Sequence, residues 1–260
     1  MPKFAANLTM MFNEVPFPER FQAAAKAGFT GVEYLFPYDF DKGLLADQLG
    51  KNKLRQVLHN LPAGNWGAGE RGIACHPNRV GEFQDGVGKA IDYAKALNCK
   101  MLNCLAGIAP KDVDADKQRK TIVDNLKFAA GKLEKEGIKL LIEPINTRDI
   151  PGMYLNKTAQ AKSIIADVGS KNLFLQYDVY HMQVMEGDLT PTIKSNLDII
   201  KHIQIADTPG RNEPGTGEIN YPFLFAQIDK LGYDGWIGCE YRPAKTTAEG
   251  LGWAKGYLGK

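Results

Sequence analysis

The chain has 260 residues, 44% of them hydrophobic, and a formal net charge of +2. That length buries a large core and suits one β/α domain as well as two small ones. Acids and bases are interspersed, with no Lys/Arg block and no long apolar run; no leader is expected, neither nucleic acid nor membrane is expected as a partner, and the cytoplasm is the expected compartment.

Strand-like and helix-like segments alternate from the first residues onward. Phe4 to Asn7 is a short strand, followed by a helix from about Pro16 with Phe17, Phe21, Ala24 and Ala25 on one stripe and Gly28 as its cap. Val32 to Phe36 reads as a second strand stopped by Pro37, residues 41–50 as a short helix, and Leu54 to His59 as a third strand. Residues 60–78 carry four glycines, Trp66 and the charged pair Glu70 and Arg71; so long a connection is expected to be a functional loop over one end of the domain. A helix over 82–97, a strand over 101–105 and a clear amphipathic helix over 121–133 come next, the last with Ile122, Leu126, Ala129, Ala130 and Leu133 on one face. A fifth strand ends at Glu143 before Pro144. A helix over 159–168, a sixth strand ending at Asp178 and a helical region over 189–200 follow. The seventh strand carries Gln204, a helix spans 223–231, the eighth strand ends at Glu240, and a helix over 247–257 completes the chain. Cys75, Cys99, Cys104 and Cys239 show no CxxC spacing and read as small buried residues of a reducing compartment.

Eight strand-then-helix units without a break in composition imply a closed parallel (β/α)8 barrel, a TIM barrel, formed as one domain over residues 1–260. A doubly wound open sheet is the alternative, but the first βα turn lacks GxGxxG and no GxxxxGK[ST] occurs. In such a barrel functional side chains stand at the C-terminal ends of the strands. Glu143, Asp178, Gln204 and Glu240 leave strands five to eight, which are neighbours around the ring. Three carboxylates gathered there would repel one another, and a hard divalent cation would remove the repulsion. Oxygen-only donors favour Mg²⁺ or Mn²⁺ over zinc. His181 follows Asp178 by three residues and is a candidate for substrate binding, as is His59 at the end of strand three. His202, two residues before Gln204, is expected deeper, as a hydrogen-bonded core histidine. Arg211, in the turn-rich segment after strand seven, is placed to hold a substrate carboxylate through its fork.

Several runs resemble the hydroxypyruvate isomerase family, within the wider xylose-isomerase-like barrels. They are residues 4–10, 58–64, 68–72, 141–146, 176–183, 204–221 and 238–241, which together span the chain. The resemblance implies a divalent metal held by Glu143, Asp178, Gln204 and Glu240, and proton exchange between Glu143 and Glu240. The implied reaction interconverts hydroxypyruvate and 2-hydroxy-3-oxopropanoate. Arg211, with His181 or the Glu70–Arg71 loop, would recognise the carboxylate of this small hydroxy-oxo acid. The related ketose 3-epimerases usually carry histidine where Gln204 stands, and the 2-oxo-tetronate isomerases share the chemistry with a four-carbon substrate. A metal-dependent endonuclease on a related barrel would want several histidine ligands and a basic face. The outer helices could support a homo-oligomer.

Overall fold

A computed structural model describes residues 2–259. Eight parallel strands close into a barrel in sequential order: β1 Lys3–Asn7, β2 Gly31–Glu33, β3 Arg55–Asn60, β4 Met101–Cys104, β5 Lys139–Ile142, β6 Leu173–Asp178, β7 Ile200–Ile205 and β8 Trp236–Cys239. β8 pairs with β1, Ala5 against Gly238, which closes the ring. Helices cover the outside: α1 Phe17–Lys26, α2 Lys42–Lys51, α3 Val80–Ala96, α4 Ala115–Lys135, α5 Thr158–Val168, α6 Val179–Met185, α7 Leu189–Ser195, α8 Tyr221–Lys230 and α9 Thr247–Gly250.

The helices form where periodicity and caps agree. On α4, Asp114 accepts hydrogen bonds from the amides of Asp116 and Lys117, Lys132 and Lys135 sit in the last turn, and Ile122, Leu126, Ala129, Ala130 and Leu133 are buried. The helix is longer than its apolar stripe because the exposed Asp116, Lys117 and Lys120 extend it at its start. The segment after α7 is not helical as far as residue 200, since Ile200 already belongs to β7. The last helix is also shorter than expected: α9 passes into a 3₁₀ turn over Leu251–Ala254.

Most of the core lies between sheet and helices. A second, smaller cluster, Ala5, Val57, Leu58 and Leu141 with Met101, Phe174 and Trp236, fills the lower barrel. Along a strand the inward positions recur every second residue, so β5 presents Leu141 to this layer and, one repeat on, Glu143 to the mouth. One departure from regular pairing matters for function. β2 ends at Glu33, and its pairing with β3 shifts between Val32–Gln56 and Glu33–Leu58. That bulge reverses the facing of the rest of β3, so Asn60 rather than His59 reaches the mouth.

Candidate active site

The C-terminal ends of the strands open into a cavity of about 510 Å³ whose lining includes Asn60, Trp66, Arg71, Glu143, His181, Arg211 and Glu240. Glu143, Asp178, His181 and Glu240 each offer a donor atom here, all within 4.8 Å of one another, and all four residues are buried. A group of this composition could hold a metal ion.

Each member is held by its neighbours. Asn103, on β4, donates to Oε2 of Glu143 at 2.8 Å and to Asn60 Oδ1 at 3.2 Å. Asp178 caps α6: its Oδ1 accepts from the amides of Tyr180 (2.8 Å) and His181 (3.3 Å). Its Oδ2 is buried, has no hydrogen-bond partner and faces His181 Nε2 at 3.5 Å. A buried carboxylate oxygen left free in a pocket of acids fits a cation ligand. Arg211 Nη2 donates to Glu240 Oε2 at 2.8 Å and lies 3.8 Å from Asp178 Oδ2, while its guanidinium stands 5.0 Å from the Tyr180 ring centroid.

Beneath the mouth lies a second polar layer. Glu33 is fully buried; its Oε2 meets His202 Nε2 at 2.6 Å, and its Oε1 accepts from Gln204 Nε2 (2.8 Å) and Asn7 Nδ2 (3.0 Å). Gln204 Oε1 accepts from Gln176 Nε2 at 2.6 Å. Gln204 is therefore oriented from both sides, and its carbonyl oxygen retains a second lone pair. Space for the Glu33 carboxylate exists because residue 238 is glycine: a Cβ there would lie 2.4 Å from both carboxylate oxygens. His202 is the hydrogen-bonded core histidine that its position implies.

Burial raises the proton affinity of the acids, and their mutual repulsion adds to it. Glu143 is pushed well above the usual carboxylate range by burial and then by Glu240 and Asp178. Asp178 is raised by burial against the opposing pull of Arg211. Glu240 is raised to about 8 by burial, with Arg211 opposing and Asp178 and Glu33 adding. His181 is held well below its ordinary value by burial and by Arg211 and Arg148, so it is neutral near pH 7. Its tautomer follows from Asn146. The Asn146 Oδ1 accepts from the Asp149 amide at 2.7 Å, which turns Nδ2 toward His181 Nδ1 at 2.7 Å. Nδ1 must accept, leaving the proton on Nε2, which faces Glu143 and Asp178. The Arg211 Nη2 contact to Nε2, at 3.4 Å, is then a close approach of two donors and the weaker guide of the two. His181 is thus set up as a hydrogen-bond donor rather than as a cation ligand.

Not every candidate residue reaches the site. His59 is fully buried with its ring 6.0 Å from that of Tyr38, and neither ring nitrogen has a hydrogen-bond partner; it does not line the mouth, for the bulge described above turned it outward. Burial alone lowers it to about 3. Glu70 is likewise withdrawn as a substrate contact: it pairs with Arg79 and accepts from the Asn65 amide, bracing the loop from behind. Arg71 does line the cavity, stacked 4.1 Å from the Trp66 ring centroid. Sequence reasoning missed Asn7, Glu33, Asn103 and Asn146. Asn7 and Asn103 carry the same signal as the acids, a polar residue at a strand end; Glu33 was hidden because the apolar run continues past it to Phe36, although the strand itself does not.

A family model described as xylose isomerase-like TIM barrel matches residues 21–257. The chain is 55% identical to "Hydroxypyruvate isomerase" of Escherichia coli (strain K12), over 99% of its own length and 100% of the relative's. It is 49% identical to "2-oxo-tetronate isomerase" of Cupriavidus necator, over the whole of both chains. Among solved structures, one described as "Crystal structure of AP endonuclease, family 2 from Brucella melitensis" superposes with a TM-score of 0.97 at 47% identity, covering 99% of this chain and 100% of that one. With its closed eight-stranded barrel and carboxylate-lined mouth, the chain belongs to the xylose isomerase-like TIM barrel family and, within it, to the group of the hydroxypyruvate and 2-oxo-tetronate isomerases.

Proposed function

We propose that the protein is a hydroxypyruvate isomerase, exchanging the carbonyl and the neighbouring hydroxyl between hydroxypyruvate and 2-hydroxy-3-oxopropanoate. The observation that carries this reading is the placement of two buried glutamates, Glu143 after β5 and Glu240 after β8, in one cluster at one mouth. The reaction moves a carbon-bound proton between adjacent carbons, so it needs a base that serves one carbon and an acid that serves the next. Glu143 and Glu240 take these roles. Asn103 steers the Glu143 carboxylate, and Arg211 and Asn7 steer that of Glu240. Burial raises the proton affinity of both, and a cation bound beside them would hold them ionised, the form in which they can take a proton near neutral pH.

Glu143, Asp178, Gln204 and Glu240 would hold a divalent cation of the Mg²⁺ or Mn²⁺ type; when bound it polarises the substrate carbonyl and offsets the negative charge that develops on the two substrate oxygens. The free Asp178 Oδ2 and the second lone pair of Gln204 suit that role. His181 donates from Nε2 to a substrate oxygen. Arg211 holds the carboxylate, exchanging its present contact with Glu240 for one with substrate, and Arg71 closes the cavity on the Trp66 side.

The four-carbon 2-oxo-tetronate is the second reading, favoured by the 49% identity to an enzyme of that name. The 55% identity to an enzyme named for hydroxypyruvate favours the three-carbon substrate. An endonuclease role, of the kind named for the Brucella structure, is disfavoured by a net charge of +2 without a basic block and by a mouth holding one histidine among its acids. The deciding experiment is a coupled isomerase assay comparing kcat/KM on hydroxypyruvate and 2-oxo-tetronate, with and without chelator. Chelator-sensitive turnover with hydroxypyruvate preferred supports the proposal; turnover of neither acid removes it.

A further inference from the structure

The opposite end of the barrel holds a second concavity, of about 520 Å³, formed at the strand starts. Lys3, Arg55, Lys100, Lys139 and Lys201 line it, against the single carboxylate of Asp234. Five cations against one anion leave +4 there, although the whole chain carries only +2. Among the described residues none of the five has a carboxylate within ion-pair distance. The Lys3 ammonium stands 5.8 Å from the centroid of Trp236, which lines the cavity, and those of Lys139 and Lys201 stand 5.9 and 5.4 Å from that of Phe174, which packs on the apolar layer of the lower barrel. The ring contact places the Lys3 charge at the cavity wall, and Lys201 Nζ donates to the Asp198 carbonyl oxygen at 2.8 Å, a neutral partner that leaves its charge uncompensated. Lysines that only shielded the apolar floor would be expected to spread apart into water or to pair with acids. Instead all five line one concave site, where low-dielectric walls focus their potential.

We propose that this floor is a binding site for a small bisphosphorylated metabolite. Two phosphate groups carry about −3 to −4 at neutral pH, which matches the local excess, whereas a single carboxylate does not. The site is separate from the chemistry. Lys139 and Glu143 lie four positions apart along β5, and at ~3.3 Å per residue the two ends are more than 10 Å apart with the apolar layer of Leu141 between them.

The test is titration calorimetry of the full-length protein with Mg²⁺ present and ionic strength fixed, using fructose 1,6-bisphosphate as probe and sulfate as control. The expected result is saturable one-to-one binding that sulfate does not reproduce. Lys139→Gln and Lys201→Gln should each weaken it about tenfold, while isomerase turnover stays unchanged. Arg211→Ala, at the other mouth, should leave it intact. Absence of saturable binding, equal binding by sulfate, survival of binding in the triple variant Lys3→Gln/Lys139→Gln/Lys201→Gln, or its loss in Arg211→Ala would each overturn the site.

Discussion

At the scale of single residues, the proton affinity of the acids at the mouth is raised by what surrounds them. Glu143→Gln and Glu240→Gln keep the shape and remove the carboxylates proposed to exchange the proton, so each should lower kcat by about 10²–10⁴-fold. Neither should reduce the thermal midpoint of the metal-free protein, because each removes a carboxyl whose ionisation the fold opposes. A midpoint that falls along with activity would assign these residues to structure. Arg211→Ala loses the charge-assisted contact proposed for the substrate carboxylate. KM should rise about tenfold or more while the thermal midpoint moves little, and steady-state kinetics beside a melting curve separates the two. Glu33 behaves differently. It anchors His202, Gln204 and Asn7 together, so Glu33→Ala should cost about 3–5 kcal/mol of stability in denaturant titration, by stranding a buried network.

At the scale of elements, two loops carry the parts of the mouth that strand ends do not supply. The segment between β7 and α8 is organised by Asp207, which accepts from the amides of Thr208, Gly215, Gly217 and Ile219. Asp207→Ala would release four amides and loosen the loop that carries Arg211. The expected signature is a raised KM with increased protease sensitivity confined to residues 207–219; an unchanged KM would show that Arg211 is positioned without this hub. The loop between β3 and α3 crosses back over β4 at Gly72, where φ is +111° and a Cβ would stand 2.3 Å from the Leu105 carbonyl oxygen. Gly72→Ala must therefore shift the backbone that presents Trp66 and Arg71, and a several-fold fall in kcat/KM is the expected result.

At the scale of the whole molecule, the barrel is polarised, with acids at one end and cations at the other. The acidic end links stability to pH. Carboxyls whose folded affinity for protons is raised contribute stability below the ordinary value of 4.5, and that contribution is lost as pH rises through the folded value, about 8 for Glu240. The chelator-treated protein should therefore lose stability across that interval. A divalent cation binds the ionised form, so its stabilising effect should grow with pH over the same range. Melting curves with EDTA and with Mg²⁺ across the interval test this; a metal shift independent of pH would mean that the cluster does not take the ion.

The chain by itself determined the barrel, because eight apolar runs alternating with amphipathic stretches admit few other ways to bury every face. It also determined the principal acids, since Glu143 and Glu240 each follow directly on a strand and Asp178 ends one. What only the tertiary structure decided was facing and partnership. A one-residue bulge between β2 and β3 moved His59 away from the mouth and put Asn60 there, and no local pattern records a bulge. Glu33, Gln204 and His202 are 171 residues apart at the widest, yet they share hydrogen bonds because closure of the ring makes neighbours of β1, β2, β7 and β8. The proton position on His181, in α6, was likewise set by Asn146, on the loop after β5. Periodicity reports which side of a strand is buried; only closure reports which buried groups meet.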